Sequence, residues 1–318
     1  MPRALILAAP SLCLVLSAPA FAAAPDATAA VAVEAPAATA DGVAADETGD
    51  TEASEIEVAA TETPNGDDAD AADDEATAED APDATATGEE ESWLPGEISA
   101  DVALVSDYIF RGITNTDHNP AIQGGLSYSV DVGLPYAVPY AAFWGSNVDF
   151  DDGGEATVEL DMGFGLSGTL AGVEWDLGGL YYAYPGANSH LDYNYWEIPL
   201  KLSYPIGDQF SLISQYAFSP NYFADSGQAH YLLAGGRWEQ PIGPTTLAFE
   251  ATTGHQWIAD NGAYGVDDYQ DWRIGLSLTI EKITLGVAYT DTTLSKSQCF
   301  GGTNQCEPRA VFSLGASF

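Results

Sequence analysis

The stretch Asp271-Trp272-Arg273-Ile274-Gly275-Leu276-Ser277-Leu278-Thr279-Ile280-Glu281 decides the fold. Trp272, Ile274, Leu276, Leu278 and Ile280 take every second position, with polar residues and one glycine between them. Side chains alternate faces along a β-strand, so a period of two gives one apolar and one polar face. After a short break, Ile283, Leu285, Val287 and Tyr289 continue the pattern. Ala156, Val158, Leu160, Met162, Phe164 and Leu166 carry it through 155–166. Working outward, roughly twelve such runs lie near 98–111, 119–130, 137–149, 155–167, 172–184, 193–204, 209–218, 228–239, 245–255, 270–281, 283–291 and 308–318. Turn residues punctuate them: Gly133, Pro135, Gly153-Gly154, Gly172, Pro185-Gly186, Pro205-Ile206-Gly207 and Pro241-Ile242-Gly243.

The parity of the charges separates the two all-β architectures that fit this alternation. With the apolar face fixed in each run, Asp107, Arg111, Glu159, Asp161, Glu174, Glu197, Lys201, Arg237, Glu239, Glu250, Asp271 and Arg273 fall on the opposite face. A soluble sandwich would have to enclose Trp144, Trp175, Trp196, Trp238, Trp272 and many tyrosines in one core. A transmembrane antiparallel up-and-down β-barrel turns its apolar face to lipid and sets Trp and Tyr in the interface belts. Glycine is frequent on the polar face, which suits a crowded barrel interior. The last run ends Ala310, Phe312, Leu314, Ala316, Phe318 by twos. A closing strand of this kind, with Phe312, Leu314 and Phe318, resembles the signal by which bacterial outer-membrane barrels engage their assembly machinery. The fold expected is therefore all-β, a barrel of about twelve strands over 97–318.

Composition divides the 318 residues further. The chain carries 48 Asp and Glu against 8 Lys and Arg, a net charge of −40, which excludes nucleic acid as a partner. A uniformly acidic disordered chain would have few aromatics, yet there are 16 Tyr, 12 Phe and 7 Trp. Residues 1–22 pair Arg3 with an apolar run from Ala4 to Leu16 and end Ala20-Phe21-Ala22, the pattern of a cleaved signal peptide. Pro10 and Pro19 argue against a transmembrane helix there, and Cys13 leaves with the signal. Residues 23–96 are rich in Ala, Asp, Glu and Thr, with 22 acidic and no basic residues between Ala24 and Gly96. Such a segment cannot bury enough apolar surface to offset its ordering entropy and is expected to be a disordered spacer. Weak divalent-cation binding is the alternative, without the spacing of a calcium loop. From Glu97 onward the net charge is −19. Cys299 and Cys306, exported to an oxidising compartment, are expected to close a short disulfide loop rather than remain free or bind metal. No cofactor is expected.

Val105-Ser106-Asp107-Tyr108-Ile109-Phe110-Arg111-Gly112-Ile113 resembles the S-D-Y-x-F-R-G opening of the TorF family, porin-type outer-membrane barrels of largely unassigned substrate. Ala121–Gly125, Phe143–Asp149, Tyr181–Gly186 and Val311–Leu314 follow in the family's order, so the resemblance spans 98–318 but not the acidic segment. It implies a pore.

An even strand count places both barrel ends on the periplasmic side, with the acidic segment as a periplasmic tether and the Cys299–Cys306 loop outside. Twelve strands lie between the filled eight-stranded barrel and the open sixteen-stranded one, so the lumen side chains decide whether anything passes. Eight acidic against four basic inward residues give either a cation-favouring path or a salt-bridge lattice that closes the lumen. Asp107 and Arg111, four apart on one strand, are expected to pair across strands. The first expectation is passive diffusion of small hydrophilic solutes or ions with a mild cation preference. The second is a structural or anchoring barrel with a closed lumen. A third is a lipid hydrolase, resting on His118, His190, His230 and chiefly His255, but no Ser is placed beside His255.

Overall fold

In this computed structural model the described residues are 95–318, apart from Glu155. The signal-peptide assignment and nearly all of the acidic segment lie outside them. Among the described residues fourteen strands run in chain order: β1 (Glu97–Val105), β2 (Ile109–Phe110), β3 (Ile113–Thr114), β4 (Ala121–Ser129), β5 (Val138–Asn147), β6 (Val158–Leu170), β7 (Val173–Ala183), β8 (Tyr195–Ile206), β9 (Phe210–Ser219), β10 (Ala229–Ile242), β11 (Thr245–Ile258), β12 (Tyr269–Ile280), β13 (Ile283–Thr292) and β14 (Arg309–Ser317).

Twelve of these close into one antiparallel barrel, each strand paired with its neighbour along the chain. β1 seals the ring by pairing with both β4 and β14, Leu104 lying opposite Ile122 on one side and Leu314 on the other. Closure matters physically because it leaves no strand edge with unpaired backbone groups, which hydrocarbon would not tolerate. β2 and β3 are the exception: they form a separate two-stranded hairpin between β1 and β4.

The period of two is visible strand by strand. On β12, Ile274 and Leu276 are exposed while Gly275 and Ser277 are buried. On β14, Phe312 and Leu314 are exposed while Val311 and Ser313 are buried. Large apolar side chains thus cover the outside of the ring, from Ile122 at 66% exposure to Leu276 at 45%. In water that surface would drive aggregation. It is the lipid face of a transmembrane barrel.

The two ends differ. At one end lie tight turns such as Ala171-Gly172 between β6 and β7 and Glu281-Lys282 between β12 and β13. Ala171 and Gly172 hold φ of 53° and 82°, the positive values that a two-residue hairpin turn requires. Glu97 and Phe318 stand at this same end. The other end carries the long connections 106–120, 148–157, 184–194, 220–228, 259–268 and 293–308.

Two local expectations fail. The first run does not continue to Arg111, because β1 stops at Val105 and the chain turns into the hairpin. Asp107 and Arg111 therefore do not share a strand. Trp144 is not a belt residue either: it is buried, while Phe143 takes the outward position beside it. With Tyr140 through Trp144 all apolar, the parity of this strand is set by its neighbours rather than by its own pattern.

Candidate functional site: the barrel lumen

The S-D-Y-x-F-R-G stretch builds a hairpin inside the barrel. Beyond Val105 the chain folds inward as the hairpin β2–β3, whose tip is Arg111-Gly112, at φ of 45° and 85°. Phe110 and Ile113 are completely or almost completely buried. A side chain at Gly112 would collide with Thr292 on the barrel wall, so the tip requires glycine both for its backbone and for its closeness to β13.

Arg111 crosses to the far wall. Its Nη2 donates to Glu197 Oε2 on β8 at 2.8 Å, and its Nη1 donates to Gln256 Oε1 on β11 at 2.7 Å. The guanidinium lies 4.2 Å from the ring centroid of Tyr231 on β10 and 4.3 Å from that of Phe110. Tyr182 donates a second hydrogen bond to Glu197 Oε2 at 3.1 Å. A planar, always-charged fork is suited to such a site, because it fills hydrogen-bond acceptors and aromatic faces at once.

The base of the hairpin is tied to the near wall. Asp107 accepts from Thr114 and Thr116 of its own connection and from Arg309 Nη1 on β14 at 2.9 Å. Tyr108 donates to Glu159 Oε1 at 3.1 Å and packs edge-on against Trp144. The disulfide loop joins in. Cys299 and Cys306 are bridged, with Cα atoms 5.9 Å apart. Gln305, just before Cys306, accepts from the Thr114 amide through its carbonyl and donates from Nε2 to Phe150 O at 2.9 Å.

Above the hairpin the long connections contribute a layer of rings: Phe150, Tyr184, Tyr193, Tyr222, Phe223, Tyr264 and Phe300, all buried. Tyr193 stacks on Phe223 at 4.2 Å between centroids, and Phe150 meets Tyr184 edge-on. Burial, reinforced by the hydrogen bond it donates to Asp152, pushes the Tyr193 phenol pKa up. The hairpin residues Phe110 and Ile113 and this layer of rings belong to one buried apolar cluster in the long-loop half of the barrel.

Elsewhere on the inner face the two walls carry their charges differently. On β10–β12, Arg237 pairs with Glu239 at 2.8 Å and Glu250 at 3.5 Å, and Arg273 pairs with Glu250 at 3.2 Å. On the wall of β5 to β8 the charges are more scattered. Asp176 accepts from Tyr140 Oη at 2.7 Å. Asp161 is buried with no hydrogen-bond partner for either oxygen among the described residues. Lys201 and Glu174 are half-buried on the same wall. Asp161, Asp101, Asp176 and Lys201 line a cavity there. Asp271 accepts from Tyr231 Oη at 3.1 Å on the other side.

Of the twelve charged positions selected by parity, Arg111 and Glu197 meet directly, as do Arg237, Glu239, Glu250 and Arg273. Asp107 meets Arg309, which parity did not select. Parity does not select Asp101 or Asp176 either, although Asp101 alternates with Ser99 and Ala103 and Asp176 with Glu174 on one face. Gln256, Tyr182 and Tyr231, the other partners of the plug, carry no charge and could not be found by counting charges. His255 stands on the outward face between buried Gly254 and Gln256, packed on Trp257. The closing residues Phe312, Leu314 and Phe318 are exposed on the outside.

A family model described as a bacterial protein of unknown function (Gcw_chp) matches residues 89–318. The chain belongs to that family. The match carries its own description and not the TorF name. No curated protein matches the sequence. Among solved structures, a NanC porin is 12% identical over 70% of this chain and 99% of its own, with a TM-score of 0.42. An outer membrane channel from Pseudomonas putida F1 is 12% identical over 73% of this chain and 98% of its own, with a TM-score of 0.41. LpxR from Salmonella typhimurium is 9% identical over 69% of this chain and 99% of its own, with a TM-score of 0.41. In this family member, the S-D-Y-x-F-R-G stretch forms the plug rather than part of the wall.

Proposed function

We propose that the barrel is a channel of the bacterial outer membrane for small hydrophilic solutes or ions, mildly favouring cations, and that the β2–β3 hairpin closes it in the conformation described. The observation that carries this reading is a plug pinned at its tip by the buried ion pair Arg111–Glu197, beside a cavity lined by charged side chains. A barrel that served only as an anchor would have no use for carboxylates facing an unfilled interior. Short turns at one end and long connections at the other fit an outer-membrane orientation, with the turns periplasmic and the disulfide loop outside. In that orientation the acidic segment enters the periplasm, and Phe312, Leu314 and Phe318 are available to the assembly machinery and to lipid. A mild cation preference follows from the same cavity, where Asp101, Asp161 and Asp176 face a single Lys201.

The completeness of the plug favours a second reading, a closed structural barrel. Conductance across planar bilayers separates the two. Wild-type protein is expected to show rare openings, and Arg111→Ala to open far more often, with higher cation than anion permeability. Absence of ion-conducting events in both would reject the channel and leave the closed barrel.

A further inference from the structure

The cavity on the wall of β5 to β8 holds one group that its surroundings leave unanswered. Asp161 is 1% exposed, lines the cavity, and has no hydrogen-bond donor on either oxygen among the described residues. A carboxylate withdrawn from water without a partner is among the costliest arrangements a protein can hold, and it calls for a cation or a proton. Beside it, directly across the β5–β6 pair, stands Trp144. Further along the same cavity is Tyr140, whose hydroxyl is taken up by Asp176 so that its ring is held in place. Between them Ala142 and Gly163 leave an apolar strip without bulky side chains. Carboxylate, aromatic rings and an apolar strip are the recognition elements for an organic ammonium ion. A bare metal ion is served less well, because no three acidic, His or Cys side chains among the described residues converge to hold one.

We propose that this cavity is a binding site for a small primary alkylammonium solute. The ammonium group donates to Asp161 beside Trp144, and the alkyl chain lies along Ala142 and Gly163. As a station on a permeation path the site rests on the channel reading above; the binding itself does not. Lys201, the one cation lining the cavity, opposes any ligand of like charge and sets a limit on affinity.

The test is calorimetric titration of the full chain in detergent with n-butylammonium chloride, beside sodium chloride and n-butanol. Saturable one-site binding of butylammonium alone is expected. Asp161→Asn, nearly isosteric and therefore compatible with the folded barrel, is expected to weaken binding about tenfold or more, the worth of a charge-assisted hydrogen bond. Trp144→Leu is expected to weaken it several-fold, and Lys201→Gln to strengthen it. Folding of each variant is checked by its heat-modifiable migration in gels. No binding, or binding unchanged in Asp161→Asn, would overturn the site. Competition by sodium at equal concentration would overturn the ligand class. Conductance recorded in parallel keeps the claims apart: binding without conductance retains the site and rejects the channel, whereas conductance without binding does the reverse.

Discussion

Arg111 shows how one side chain can hold an interior together at some risk. Its guanidinium and the Glu197 carboxylate are both almost fully buried, 2.8 Å apart. Removing one partner of such a pair leaves the other charged and desolvated, a loss of about 3–5 kcal/mol, whereas neutralising both costs far less. Arg111→Met is therefore expected to lower the urea unfolding midpoint in detergent strongly. Arg111→Met with Glu197→Gln is expected to recover most of the loss. Equal losses in the single and double variants would mean that the pair is not what holds the plug. The sequence marked Arg111 as inward but assigned it to a strand. Nothing in the linear pattern says that Val105 is the last strand residue, because Tyr108, Phe110 and Gly112 keep a period of two past that point. The partners that hold the inward hairpin, Glu197 and Gln256, lie 86 and 145 residues from Arg111 in the chain.

Among the elements, the barrel strands are legible to within about three residues, apart from the end of the first, and the connections are not. The runs near 209–218 and 245–255 are observed as Phe210–Ser219 and Thr245–Ile258. A strand announces itself locally, through alternation and flanking turn residues. A connection takes its shape from partners remote in sequence: Gln305 binds the Phe150 carbonyl, 155 residues away. The disulfide loop is the connection with the clearest mechanical role, since it holds Gln305 against both the hairpin and Phe150. A bridge between cysteines seven apart removes chain entropy worth about 2.5 kcal/mol. Replacing Cys299 and Cys306 together by Ser is expected to leave the barrel closed in the gel-migration assay. It is also expected to raise open probability in bilayers and speed external proteolysis within 293–308. An unchanged protease pattern would show that the loop is held by its hydrogen bonds alone.

For the barrel entire, depth in the membrane governs the cost of change on the outer wall. Leu276 lies mid-strand on β12 and Ile283 at the short-turn end of β13, both exposed outward. Leu276→Arg is expected to cost about 2–4 kcal/mol of folding stability in liposomes, and Ile283→Arg about 0–1 kcal/mol. Equal costs would contradict the orientation of the barrel in the bilayer. The number of strands, the outward apolar wall and the charged interior were all contained in the chain's alternation, because a period of two is a property of neighbours along the backbone. The tryptophans and tyrosines were ambiguous by the same argument. An aromatic ring suits a lipid interface and a packed interior equally well, and alternation does not distinguish them. Tertiary structure alone sent Trp144, Tyr222 and Tyr264 inward, joined Arg111 to Glu197 across the lumen, and left Asp161 beside a cavity without a donor. Each of these depends on which strands face one another across a closed ring, and that spacing exists only after the ring has closed.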